Sequence, residues 1–369
     1  MPRFSRLRSS FFALTTVIAS LAIALSGAEL VLAWHTKRIQ SAEKMDPGLM
    51  VFDSQLGWRM APEWRGRHQH YDFDVRYATN GLGLRGDWPK PMEGKRRYAL
   101  LGDSFTFGLG VNDTETFVAR LNQAIPTAAF LNIGLTGYST DQEFLYLKDR
   151  LALWQADEVW LIVYLANDLF DNTLEYPLQA EMAKPYFGLE EGNLALRNVP
   201  VPTGPAAPGS KQTLATLVLG YELSKSMREN KLLHYELIRR LGLFAASSER
   251  IERDFPQRFA SALSLFFKLV EAIQQECAHQ GVPLKVVLMP GQSFINQPGS
   301  YSAAFQDYFR REILAEEKDR QVQVIDLASQ LREWHETRHE PLFHPNEGHL
   351  NALGNQVVAE LLRQTAFKQ

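Results

Sequence analysis

The sequence predicts an α/β protein built as a three-layer sandwich, with a five-stranded, mostly parallel sheet between helices. Three observations carry this expectation. Five short apolar runs, Tyr98 to Leu101, Ala129 to Ile133, Val159 to Leu165, Leu284 to Met289 and Val322 to Ile325, have the length and near-continuous hydrophobicity of strands buried on both faces. Segments with helical periodicity separate them, Thr114 to Ala124 and Asp141 to Trp154 among them, and that alternation belongs to a doubly wound parallel sheet. The 369 residues, 45% hydrophobic and 22% charged, are enough for a large core.

The elements follow in order. Arg3, Arg6 and Arg8 precede a 24-residue run, Phe11 to Trp34, in which Glu29 is the only charge, and Lys37 and Arg38 follow it. As a helix such a run reaches roughly 36 Å, longer than a hydrocarbon core of ~30 Å. Residues 1–38 are therefore expected to be an uncleaved signal anchor, a single transmembrane helix. The competing reading is a cleaved signal peptide, because Ser26 and Ala28 supply small residues at the positions a peptidase needs. The arginines ahead of the run favour an inside N-terminus and an extracytoplasmic body, in a bacterial periplasm or at the cell surface. Residues 39–95 form a polar, Trp-containing extension expected to pack on the core. The main α/β body occupies 96–369, interrupted at 176–255 by an insertion. That insertion holds the loop Pro200 to Gly209 and an amphipathic helix pattern from Leu214 to Leu243, either a lid or additional packing.

Charge and cysteine content narrow the function. A net charge of -3 from 39 basic and 42 acidic residues supplies no field for nucleic acid, which is not an expected partner. A single cysteine, Cys277, excludes a disulfide framework and any Cys-rich zinc module.

Open α/β sheets bind ligands beyond the carboxyl ends of their strands, so the residues following each run are the ones to inspect. The first strand leads into Gly102-Asp103-Ser104, a serine at a tight turn; Asp and Ser are also common turn and N-cap residues. The second ends in Asn132-Ile133-Gly134, where a glycine lets a backbone N–H approach a bound oxygen or simply makes a turn. The third ends in Ala166-Asn167-Asp168, offering a side-chain amide donor or an ordinary cap. Near the C-terminus Glu347-Gly348-His349-Leu350-Asn351 precedes a last helical pattern, Gln356 to Leu362. A carboxylate two residues before a histidine can orient the ring, and the histidine can deprotonate a serine.

These four blocks, in this order, make the chain resemble the SGNH hydrolases, also called GDSL esterases and lipases, across residues 96–175 and 256–365. Gly354, five residues after His349, fits the same pattern. Gly108-Leu109-Gly110-Val111-Asn112 and Gly137-Tyr138-Ser139-Thr140-Asp141-Gln142 look like a membrane-anchored bacterial branch. The resemblance implies a flavodoxin-like sheet and a catalytic Ser104 and His349. It also implies an oxyanion hole made by the N–H groups of Ser104 and Gly134 and the amide of Asn167, with no metal and no cofactor.

Two positions depart from the family pattern. Leu165 stands where a glycine is usual before the asparagine, and Asn346 occupies the usual place of the acid, three residues before the histidine. Glu347 is therefore assigned as the acid, while Asn346 could orient an imidazole without stabilising imidazolium by charge. Two other histidine patterns compete. His344-Pro345-Asn346 has no acid two or three residues before it. His335-Glu336-Thr337-Arg338-His339 matches the zincin motif, with Glu360 a conceivable third ligand, but Pro341 and the polar flanks suit a solvated helix end.

The expected activity is hydrolysis or transfer of acyl groups from small-molecule, glycan or lipid esters through a Ser104 acyl-enzyme. The alternatives are a polysaccharide O-acyltransferase and a catalytically idle scaffold or binding protein of the same fold.

Overall fold

A computed structural model of the protein describes residues 2–87, 94–177, 182–204, 252 and 255–367, excluding the side chains of 2–10, 25, 28–30, 32–33, 35–36 and 39–40. Five strands form the central sheet: β6 (Arg96–Gly102), β7 (Ala128–Gly134), β8 (Glu158–Tyr164), β11 (Leu284–Met289) and β12 (Gln323–Ile325). Their spatial order is β12-β11-β8-β6-β7. Every pairing is parallel, so the mostly parallel expectation becomes a wholly parallel sheet. β7 is buried along its whole length, and β6 and β8 lose burial only at one end. That is why these strands read as continuous apolar runs rather than alternating ones.

Right-handed crossovers place the helices. The chain steps from β6 outward to β7 through α3 (Phe117–Ala124), then reverses past β6 to β8 through α4 (Thr140–Trp154). Because the direction reverses while the handedness does not, α3 and α4 fall on opposite faces. Two short helices, α5 (Asp168–Asp171) and α7 (Gln292–Asn296), follow β8 and β11; α6 (Phe255–His279) and α8 (Tyr301–Arg320) lie on the α4 side, and on the other α10 (Ala352–Ala366) packs on α3 and α9 (Leu327–Arg338) packs on α10. The winding reverses between β6 and β8, the switch point at whose carboxyl ends open α/β sheets bind ligands.

Within the 39–95 segment, the described residues 41–87 are rich in strands. The segment carries β1 (Lys44–Met45), β2 (Met50–Asp53), β3 (Gly57–Met60), β4 (Arg65–Gln69) and β5 (Asp74–Ala78), paired into two small antiparallel sheets. Its Leu49, Leu56, Trp58, Met60, Tyr77 and Leu84 join the main hydrophobic core.

The insertion expected over 176–255 is not purely helical. It opens with a hairpin, β9 (Tyr186–Glu190) and β10 (Asn193–Arg197). The two-residue turn Glu191-Gly192 has φ of 49° and 81°, the left-handed pair that a tight hairpin needs and that helical periodicity does not register. Phe187 of the hairpin packs on Leu265 and Leu269 of α6. The helix pattern Leu214 to Leu243 lies outside the described residues.

At the N-terminus, α1 (Pro2–Gln40) runs through the segment expected to be the anchor. Among the described residues no helix is long and apolar enough to cross a membrane, and the undescribed side chains fall within that segment.

Candidate active site

The turn after β6 presents Ser104. Asp103 caps the four-residue helix α2 (Ser104–Phe107), its carboxylate accepting the Phe105 N–H at 2.8 Å, and Gly108 closes the helix with φ of 81°. Capping residue and candidate nucleophile are thus adjacent positions with separate tasks. Burial pushes the Asp103 carboxyl up to about 6, against the Phe105 hydrogen bond and the His349 charge.

The loop ahead of α10 brings the histidine to it. His349 Nε2 lies 2.7 Å from Ser104 Oγ, and His349 Nδ1 lies 2.6 Å from Glu347 Oε1. Glu347 Oε2 also accepts the His349 backbone N–H at 2.9 Å, so one carboxylate holds both the ring and its backbone. Burial alone would raise the Glu347 pKa, but the His349 charge and hydrogen bonds outweigh it and hold the carboxyl at about 2. For His349 burial lowers the pKa, while the charge and hydrogen bond of Glu347, then Asp103 and Glu43, reverse that and raise it overall. The imidazole rests on Phe105, with centroids 4.6 Å apart, and Phe105 stacks in turn on Tyr164 at 4.1 Å. Neither aromatic was a sequence candidate. Phe105 was visible only as the neighbour of Ser104, and Tyr164 carried no signal beyond ending a strand.

One expected donor is corrected. The N–H of Gly134 already donates to Asn132 Oδ1 at 2.9 Å. A Cβ at Gly134 would stand 2.0 Å from the Phe107 nitrogen, so this glycine serves the close approach of β7 and α2. Three residues on, in the loop leaving β7, Gly137 takes φ of 77°. Among the described residues no acceptor engages its N–H, nor that of Ser104 at the first position of α2. The left-handed glycine after the strand was the available signal for Gly137. In the sequence Gly134 draws the assignment instead, because it abuts the apolar run.

Asn167 follows β8 and is buried. Its Nδ2 donates one hydrogen to Asp171 Oδ2 at 2.8 Å, fixing which way the amide faces and leaving a second N–H. Since β7, β6 and β8 are neighbours in the sheet, the loops carrying Gly137, Ser104 and Asn167 leave the same edge side by side.

The competing motifs come apart. α9 ends at Arg338, and His339 caps it in the left-handed region at φ of 57°. His335 Nδ1 contacts the Glu340 carbonyl at 3.0 Å, so the two histidines do not share a helical face. Among the described residues no cluster of His, Cys, Asp and Glu has metal-binding geometry. His344 Nε2 contacts the Gly110 carbonyl at 3.1 Å, while it is His349 Nε2 that meets Ser104 Oγ. Asn346 donates to Asp72 from both its side chain and its backbone, leaving the ring of His349 to Glu347.

No protein-family model matches the chain, and no curated protein matches it. Among solved structures it is similar to a lipolytic protein of the G-D-S-L family from Veillonella parvula, at 13% identity and a TM-score of 0.38, covering 74% of this chain and 100% of that one. It is also similar to the lipase Lip_vut3 from a goat rumen metagenome, at 15% identity and a TM-score of 0.41, over 73% and 96% of the two chains. A catalytic mutant of an acetylxylan esterase from Geobacillus stearothermophilus stands at 10% identity and 0.38, over 74% and 95%.

Proposed function

We propose that this chain is a serine esterase of the SGNH type, taking acyl esters of envelope glycans or lipids through an acyl-enzyme on Ser104. The observation that supports it most is the unbroken hydrogen-bonded line from Glu347 through His349 to Ser104 Oγ. In this reading neutral His349 accepts the Ser104 proton as Oγ attacks the ester carbonyl. The resulting oxyanion is met by the N–H groups of Ser104 and Gly137 and the free N–H of Asn167. His349 returns the proton to the leaving alkoxide. It then deprotonates water, or an acceptor alcohol, to release the acyl group. The envelope location belongs to the same proposal. It draws on the apolar run Phe11 to Trp34 behind three arginines, and recovery of the full chain in the alkali-soluble fraction of a membrane preparation would count against it.

The test is labelling of the full-length chain by a fluorophosphonate, which reacts with activated serines. Wild type is expected to label, and Ser104→Ala and His349→Ala are not. A folded wild type that takes no label overturns the reading in favour of a binding protein. Adding an alcohol to an ester assay then separates transfer from hydrolysis by product. Asn167→Ala removes one oxyanion donor and is expected to slow turnover ~100- to 1000-fold. A loss below about tenfold would remove Asn167 from that role.

A further inference from the structure

The 43–87 segment touches the site at each of its three loops. Trp58, fully buried on β3, donates from Nε1 to the Thr136 carbonyl at 2.9 Å, and its own carbonyl accepts the Tyr138 hydroxyl. Its indole lies 3.3 Å from where a Cβ of Gly137 would stand, so it contacts the 136–138 loop on both sides of Gly137. Asp72, in the turn between β4 and β5, accepts the N–H of Asn346 at 2.7 Å and that of Glu347 at 2.9 Å on one oxygen. Its other oxygen accepts the Asn346 amide at 2.6 Å. Arg85, 3% exposed, donates to the carbonyls of Phe107, Gly108 and Val111, and its Nε donates to Asp113.

We infer that this segment is a working part of the active site: Trp58, Asp72 and Arg85 are positioning residues that hold, respectively, the oxyanion loop, the acid–histidine loop and the turn behind the nucleophile. The physical ground is the sharing of work between fold and loops. The sheet places strand ends, but the loops beyond them carry backbone polar groups that need partners. Here those partners come from outside the α/β core. A carboxylate accepting two successive backbone N–H groups and a side-chain amide ties down the residue that orients His349, and a displacement of about 1 Å at such a site costs as much as ~100-fold in rate. The inference rests on the esterase reading for its meaning and for the labelling half of its test; the titration half stands without it.

Asp72→Asn is the sharpest probe. Asparagine keeps one oxygen for the two backbone N–H groups and turns an NH2 toward the NH2 of Asn346, donor against donor. His349 is faced by Glu347 in its own loop, by Asp103 from the turn after β6, by Glu43 ahead of β1 and by His344. Of these only Glu347 hydrogen-bonds to Asp72, whose charge also reaches His344. The measurement is the NMR titration of the His349 ring in the full-length chain, assigned by its loss in His349→Gln, together with the fluorophosphonate labelling rate. In Asp72→Asn the His349 midpoint is expected to fall toward the ordinary histidine value and labelling to slow about tenfold or more. Trp58→Phe keeps an aromatic side chain but drops the Nε1 donor. It is expected to slow labelling comparably with the His349 midpoint unmoved, because it acts on the other loop.

A purely structural role would lower thermal stability while leaving that midpoint and the rate per folded molecule unchanged, and that result overturns the inference. Asp72→Ala, which removes the acceptor without adding a donor, serves as the second variant. Failure of both Asp72 variants to fold, with Trp58→Phe folded and unchanged in rate, also overturns it. A wild type that does not label refutes the esterase reading instead, and the titration still decides the role of Asp72.

Discussion

Ser104→Ala and His349→Ala are each expected to lower ester turnover on the order of a millionfold, with the double variant no worse than either alone. Serine and histidine act as one unit here: Oγ is a weak nucleophile until a base 2.7 Å away takes its proton. Once either is gone, the other has nothing left to do. What remains, roughly 1000-fold over water, comes from the oxyanion donors and from substrate binding. Ser104 is buried, with its hydroxyl turned to His349, so deleting one oxygen leaves the packing of α2 intact and the variant is expected to melt with wild type. The assay is hydrolysis of an activated aryl ester, with folding checked by thermal melt. A double variant clearly slower than both singles would show that the two residues act independently.

Glu347→Gln is expected to cost about ten-thousandfold in kcat with little change in fold. Glu347 accepts two N–H groups of His349, from the ring and from the backbone, on separate oxygens. Glutamine offers one acceptor and one donor. If its oxygen serves the backbone, its NH2 faces Nδ1 and favours the tautomer with the proton on Nε2, which cannot accept the Ser104 proton.

The pH behaviour has a definite sign. Because His349 is raised above its ordinary 6.5, the acid limb of the wild-type kcat/KM profile is expected above that value, and Glu347→Gln moves it down. Stability follows the same pair. The raised His349 contributes stability that is complete below about 6.5 and is lost as pH rises through its folded value. The lowered Glu347 contributes stability present above its ordinary 4.5 and lost as pH falls toward about 2. The pair therefore supports the fold most between these two ordinary values, and the difference in melting temperature between wild type and Glu347→Gln should peak there. A difference that is flat with pH would refute the ion pair.

Much of this was legible from local pattern. Central strands of a parallel sheet are apolar at every position, so β6, β7, β8 and β11 announce themselves in the one-dimensional sequence within a residue or two. The blocks at their ends carried Ser104, Asn167 and His349. Glu347 was legible too, since a carboxylate two residues before a histidine can reach both its ring and its backbone in one loop. Gly134 was misplaced for a physical reason. Two glycines three residues apart both suit a strand end, and which N–H is left unengaged depends on whether Asn132 folds back on one of them.

The residues that steady the site were not legible in the same way. Asp72 and Asn346 are separated by 274 positions, and Trp58 and Thr136 by 78. No periodicity links such pairs, because they meet through packing of separate elements rather than along one strand or helix. The zincin motif is the converse case: five residues that satisfy a pattern are undone by a left-handed cap at His339, a property of the backbone and not of the letters. Fold class and reacting side chains are set by local composition and by hydrophobic burial, which act over a few residues. The distances between those side chains, the N–H groups left unengaged and the partners that hold each loop are set by long-range contacts, which exist only once the chain has closed on itself.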